Sequence, residues 1–168
     1  MLRSAGIWAG LAALVTSGQS LADDGFLARF DGRFKGGGTI QRDVDRTPRK
    51  VTCTLTGKPS GPDSLTISGQ CRAAVIVTRP VSAQIRYDPA SGSYSGTYAA
   101  SATGPARLTN GRLQGSTLSF DVTYAKPIYG DRSARMTIGN AGDGTLSMTV
   151  TDQIDGRSVQ TSAITLAR

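Results

Sequence analysis

Two cysteines and no histidine set the chemical limits of this chain. Histidine is the side chain whose ordinary pKa lies near neutrality, so its absence removes the usual general base and proton shuttle. A Ser-His-Asp hydrolase and a His-bearing zinc site are therefore excluded. Gly92 to Gly96 reads Gly-Ser-Tyr-Ser-Gly. A nucleophile elbow needs Ser at the centre and a helix after it; here the centre is Tyr94 and no helical pattern follows. Gly36-Gly37-Gly38 lacks the Lys-Ser/Thr of a phosphate loop. Asp43, Asp45 and Asp143 do not reach the ligand density of a calcium loop. No catalytic residue, metal or cofactor is expected, and an enzyme ranks last among the function classes.

Arginine offers more. The chain carries 15 Arg and 4 Lys against 12 Asp and no Glu, for a net charge of +7. Arg42, Arg46, Arg49 and Lys50 crowd one short stretch. Guanidinium groups suit bidentate contact with phosphates and carboxylates, so these four are candidates for anionic contact. The plain alternative is a solvated face on which Asp43 and Asp45 serve as partners. Nucleic acid is not expected, because no aromatic side chains interleave with these cations to stack on bases. A second candidate is the segment 126–133, where Lys126, Tyr129 and Arg132 surround Pro127 with the character of an interaction loop.

The elements that must position these residues read as strands. Leu118, Phe120, Val122 and Tyr124 alternate with polar residues, as do Leu146, Met148 and Val150. Such alternation marks half-buried strands. Further strands fit at about 49–57, 64–78, 82–88, 94–101, 106–114, 116–125 and 131–139, then 145–154 and 157–167 around an Asp155-Gly156 hairpin turn. Asn110-Gly111 is either a turn splitting its segment or an irregularity within it. A change of apolar parity between Val159 and Ile164 predicts a bulge or bend. Gly36-Gly37-Gly38 predicts a sharp bend or close strand approach. Missing Glu and scarce Lys remove the usual exposed helix formers. The expectation is an all-β antiparallel meander of eight to ten strands, closed into a small lipocalin-like barrel, with a β-sandwich as runner-up.

Strand parity also places the cysteines. Val51, Cys53 and Leu55 share one face; Leu65, Ile67, Cys71, Ala73, Val75 and Val77 share another. A hairpin turning at Gly61-Pro62 brings residues 53 and 71 opposite each other, which permits a buried cross-strand disulfide. The N-terminus supports the oxidation this needs. Arg3 precedes an apolar run from Ala5 to Val15, and Ser20-Leu21-Ala22 has the small residues of a cleavage site. Residues 1–22 are thus expected to be a signal peptide cut after Ala22, leaving a single domain over 23–168. The apolar run is too short to cross a bilayer, and no later stretch approaches that length. The predicted location is the periplasm or the exterior, where disulfides persist.

Several short motifs share a pattern: Gly38-Thr39-Ile40, Val51-Thr52-Cys53, Gly69-Gln70-Cys71-Arg72, Tyr87 and Gly92-Ser93-Tyr94-Ser95-Gly96-Thr97-Tyr98. In these the chain resembles a group of exported, small, β-rich alphaproteobacterial proteins of unknown function with a signal peptide and one Cys pair. The resemblance spans roughly residues 36–166. It implies an envelope location and a barrel-like fold, and it brings no catalytic residues. Two functional expectations follow. One is a non-catalytic module binding an amphiphilic or anionic ligand within the barrel. The other is a protein-interaction or inhibitor module of the envelope presenting its loops.

Overall fold

A computed structural model describes residues 25–73, 77–100 and 103–168. The expected leader, residues 1–22, lies outside them. Ten strands follow one another: β1 (Gly32–Ile40), β2 (Arg49–Pro59), β3 (Ser64–Ala73), β4 (Val77–Asp88), β5 (Ser93–Ala99), β6 (Ala106–Gln114), β7 (Thr117–Ile128), β8 (Asp131–Gly139), β9 (Thr145–Ile154) and β10 (Arg157–Ala167). Each pairs antiparallel with its chain neighbours, and β10 returns to β1. The result is a closed up-and-down barrel. Closure leaves no edge strand with unpaired backbone groups, which an open meander of this length would expose.

The period-two alternation sorts the side chains. Leu118, Phe120, Val122, Leu146, Met148 and Val150 are all buried within the barrel, as are Phe34, Leu55, Leu65, Leu108, Met136 and Leu166. Cys53 and Cys71 sit opposite each other in the β2–β3 register and are joined by a buried disulfide. Gly36 and Gly38 serve the seam between β1 and β10. A Cβ on either would run into the backbone oxygen of Thr165 or Ala163, so only glycine lets the two strands meet this closely.

Two irregularities carry weight. Asn110-Gly111 is a bulge inside a continuous β6, marked by a register shift between Thr109 and Arg112 and by a positive φ at Asn110. On β10 the register shifts between Gln160 and Ser162, within the stretch where apolar parity changes, and this turns Thr161 into the interior. Bulges re-aim side chains in this way.

Three features differ from the sequence expectation. The strand expected over 64–78 ends at Ala73, and Val77 opens β4 as the register partner of Ala73. Val75 lies outside the described residues. The apolar run hid the break because residues 74–76 include no Gly or Pro to mark it; pairing with the neighbouring strand, which local pattern does not show, sets it. The segment 126–133 is not a loop. β7 runs through Lys126-Pro127-Ile128, the turn is Tyr129-Gly130, and Arg132 already lies on β8. Pro127 is tolerated because the β7–β8 ladder is interrupted between Thr123 and Ile128. Finally, a 3-10 turn, Leu27–Phe30, precedes β1. Phe26, Leu27 and Phe30 are buried from it, and Phe26 meets Phe30 edge to face with ring centroids 5.2 Å apart. Asn140 donates to the Arg29 carbonyl at 2.8 Å, as does Arg168 at 2.8 Å, so the turn is tied across one end of the barrel as a plug.

Candidate functional site

With one end plugged, the other end decides what can enter. There the chain crosses between β1 and β2 through residues 41–48 and between β7 and β8 at Tyr129-Gly130, and there β5 ends and β6 begins. A cavity of about 460 Å3 opens between these connections. That volume falls in the range of small-molecule sites, roughly 300–1,000 Å3. Its walls are mainly apolar: Val51, Val81, Met148, Val150 and Ile164 project from four different sectors of the barrel. The interior is therefore divided. The half nearer the plug is filled with large side chains, and the half nearer the mouth is open.

Polar groups reach this space from several strands, charged ones among them. On β4, Arg79 stands opposite Cys71 and shares its inward parity. Arg79 lines the mouth of the cavity, remains exposed there, and forms no ion pair or hydrogen bond among the described residues. Sequence reasoning missed it because it read residue 79 as connection. The inward parity of Val77, Val81, Ala83 and Ile85, counted from Arg79 in steps of two, was the available signal. Tyr98 lines the same cavity, and burial pushes its phenol up to about 12.

Across the barrel, β7, β9 and β10 bring Tyr124, Asp152 and Thr161 together. Asp152 is 3% exposed. It accepts a hydrogen bond from the Tyr124 hydroxyl at 2.9 Å and a second from the Thr161 hydroxyl. Burial raises the Asp152 carboxyl above its usual range, and these two hydrogen bonds only partly oppose that. Burial, and then the charge of Asp152, raise the Tyr124 phenol as well. No cation pairs with Asp152 among the described residues, so the ionised form is held by neutral dipoles alone.

This arrangement gives stability a definite pH dependence. The folded-state pKa of Asp152 lies above the unfolded value of about 4. Between the two values the folded protein keeps a proton that the unfolded chain has released, so stability falls as pH rises through that window and is level above it. Asp152→Asn keeps the shape and cannot ionise. Urea midpoints of both proteins, measured from pH 4 to pH 8, should show the variant gaining on the native protein as pH rises. A difference that is constant across that range would mean that Asp152 titrates normally.

The arginine-rich connection is only partly free. Asp45, with a side chain 1% exposed, receives Arg42 at 2.7 Å and Arg49 at 2.7 Å. The Arg42 guanidinium holds its carboxyl well below the usual carboxylate range. Arg42 and Arg49 thus clamp the 41–48 connection and still line the cavity. Arg46 and Lys50 are exposed and make no ion pair among the described residues. Of the second candidate set, Tyr129 is turned toward the mouth, where its hydroxyl donates to the Gln41 carbonyl at 2.7 Å and burial pushes its phenol up to about 12. Arg132 donates to the Tyr124 carbonyl at 2.7 Å, and Lys126 stays exposed. The structure therefore gathers Arg42, Arg49, Arg79 and Tyr129 around one opening, and it leaves Arg46, Lys50 and Lys126 outside.

No metal cluster of His, Cys or Asp occurs among the described residues, and none of their helices is long and apolar enough to cross a membrane. No family model and no curated protein matches the sequence. The fold is similar to that of Rv2717c from M. tuberculosis. The crystal structure of Rv2717c aligns with a TM-score of 0.58 over 84% of this chain and 94% of that one, at 17% sequence identity. At that identity the likeness shows the β-barrel fold.

Proposed function

We propose that this barrel is a non-catalytic binding protein that takes an amphiphile with an anionic head group into its open half, and that it works in the periplasm or outside the cell. The observation that carries this reading is the Arg79 guanidinium, without an ion-pair partner among the described residues, on the wall of a mainly apolar cavity. Apolar walls favour an acyl or ring system; an inward cation with no carboxylate partner favours a negative head beside it. A non-catalytic role is supported by Asp152, whose oxygens are taken by Tyr124 and Thr161. The export reading is supported by the N-terminal pattern and by the disulfide. The alternative, an interaction module presenting the 41–50 loop and 126–133, loses a contact in the second because the Tyr129 hydroxyl is committed to Gln41.

Titration calorimetry with laurate and dodecanol tests the reading. The two probes share a tail, and only laurate carries a charge. Laurate should bind at least about tenfold more tightly, the usual worth of a charge-assisted hydrogen bond. Arg79→Ala should bring laurate down to the level of dodecanol and leave dodecanol unchanged. Failure of both probes to bind, or equal binding unaffected by Arg79→Ala, would sink the proposal.

A further inference from the structure

Among the described residues the exposed large hydrophobic side chains are Val44, 73% exposed, and Val77, 44% exposed. Both stand on the rim of the open end. They come from different elements, the 41–48 connection and the start of β4, so no single local accident of sequence exposes them. A groove of about 530 Å3 runs along this rim past Val44, Arg46, Lys50 and Ala73, and it shares Arg49 and Ala73 with the internal cavity beside Val77 and Arg79. Two apolar tips therefore flank a continuous opening at the mouth.

The charges on the same sector have one sign in excess. Arg42, Arg46, Arg49, Lys50 and Arg79 stand against Asp43 and Asp45, an excess of three, with Arg42 and Arg49 drawn to Asp45 in the clamp. The opposite side of the rim is closer to balance: Lys126, Arg132 and Arg157 stand against Asp131 and Asp155, an excess of one. The sector bearing the exposed valines thus attracts an anionic surface more strongly. Apolar tips among cations form the pattern that seats a protein at a bilayer interface, where side chains enter the head-group boundary and cations meet lipid phosphates.

We propose that the β1–β4 side of the open rim docks reversibly on an anionic bilayer surface, with Val44 and Val77 entering the head-group boundary and Arg46 and Lys50 on lipid phosphates. Docked this way the mouth faces the membrane, and an amphiphile can pass between bilayer and cavity with little exposure to water. Two valines and a few cations give weak, salt-sensitive attachment, which suits a protein that must also leave. The docking does not depend on what the cavity holds, because vesicles alone are the probe.

Flotation of the protein recovered from the periplasm of an expression host tests this with two vesicle types, phosphatidylcholine alone and phosphatidylcholine with one third phosphatidylglycerol. The protein should float with the anionic vesicles, remain at the bottom with the neutral ones, and be released by 0.5 M NaCl. Arg46→Ser combined with Lys50→Ser should lower the partition coefficient roughly thirty-fold, about what two interfacial cations are worth. Both residues are exposed, so the thermal melt should stay unchanged and exclude misfolding. Val44→Trp, the one indole left once the expected leader carrying Trp8 is removed, should be quenched by lipids brominated on the upper acyl chain. Equal flotation with neutral and anionic vesicles, flotation unaffected by the double substitution, or an unquenched Trp at 44 would each overturn the proposal. Laurate binding that survives such a result would leave the cavity reading standing.

Discussion

Phe120→Ala should destabilise the barrel by about 4 kcal/mol, the usual cost of removing a buried aromatic ring whose surroundings cannot collapse. Phe120 is buried on β7, opposite Met136 of β8. Its ring occupies the space that Gly111 leaves by lacking a side chain: a Cβ there would stand 2.6 Å from the ring edge. The bulge at Asn110-Gly111 and the ring are therefore one packing unit, and no neighbour on a closed barrel can move in to replace it. Urea denaturation should show a lower midpoint with an unchanged slope, and the melting temperature should fall by roughly 10–15 °C. A loss below about 1 kcal/mol would mean that the plugged half is packed far more loosely than its buried residues indicate. The reciprocal change, Gly111→Ala, meets the backbone oxygen of Tyr94 as well as the Phe120 ring, so repacking the ring alone cannot accommodate it.

Replacing Cys53 and Cys71 together by alanine should cost about 3 kcal/mol. The bridge closes a loop of 18 residues, and in the chain-entropy model a loop of this length restricts the unfolded chain by about that amount. Alanine is the informative replacement because both positions face the apolar interior, where two serine hydroxyls would need partners. The melting temperature should fall by roughly 10 °C. Dithiothreitol should lower the melt of the native protein by a similar amount and leave the variant unaffected. A native melt insensitive to reductant would show that the bridge contributes little. Cys71 also lines the cavity, so laurate binding by the variant reports whether the bridge shapes the β3–β4 wall or only holds it.

The two halves of the barrel were not equally legible. The filled half follows from alternation: every second residue of the 117–125 and 145–151 stretches is apolar, and a strand has no other way to bury such a set. The open half is less visible because its residues break that rule. Arg79 and Asp152 occupy inward positions, as Lys or Thr would on an outward face, and the pattern alone assigns such residues to connections or solvent. Thr161 is harder still, since only the bulge on β10 turns it inward. The parity change between Val159 and Ile164 predicted that irregularity, but the partner it creates, Asp152, lies on the adjacent strand.

The arginine cluster shows a different limit. Composition marks residues 42–50 as cationic, and proximity in sequence suggests one anion-contacting set. The fold splits it. Asp45 is drawn under the connection and takes Arg42 and Arg49, while Arg46 and Lys50 point away. Which carboxylate is buried depends on how the 41–48 connection crosses the rim, and that is decided by the strands it joins. The 126–133 segment was misread for a related reason: Pro127 marks a connection by local preference, yet an interrupted ladder can hold it within a strand.

Sequence by itself determined the strand alternation, the missing histidine chemistry, the parity that puts Cys53 and Cys71 on buried faces, and the glycine run that serves the β1–β10 seam. These are local properties, set by which residues can lie side by side along an extended chain. The expected closure into a barrel is borne out, but tertiary structure alone decided that one end is plugged by Phe26, Leu27 and Phe30 and that Arg79 faces Tyr124, Asp152 and Thr161 across an open mouth. Those are relations between strands far apart in the chain, fixed by register and closure, and no local pattern carries them.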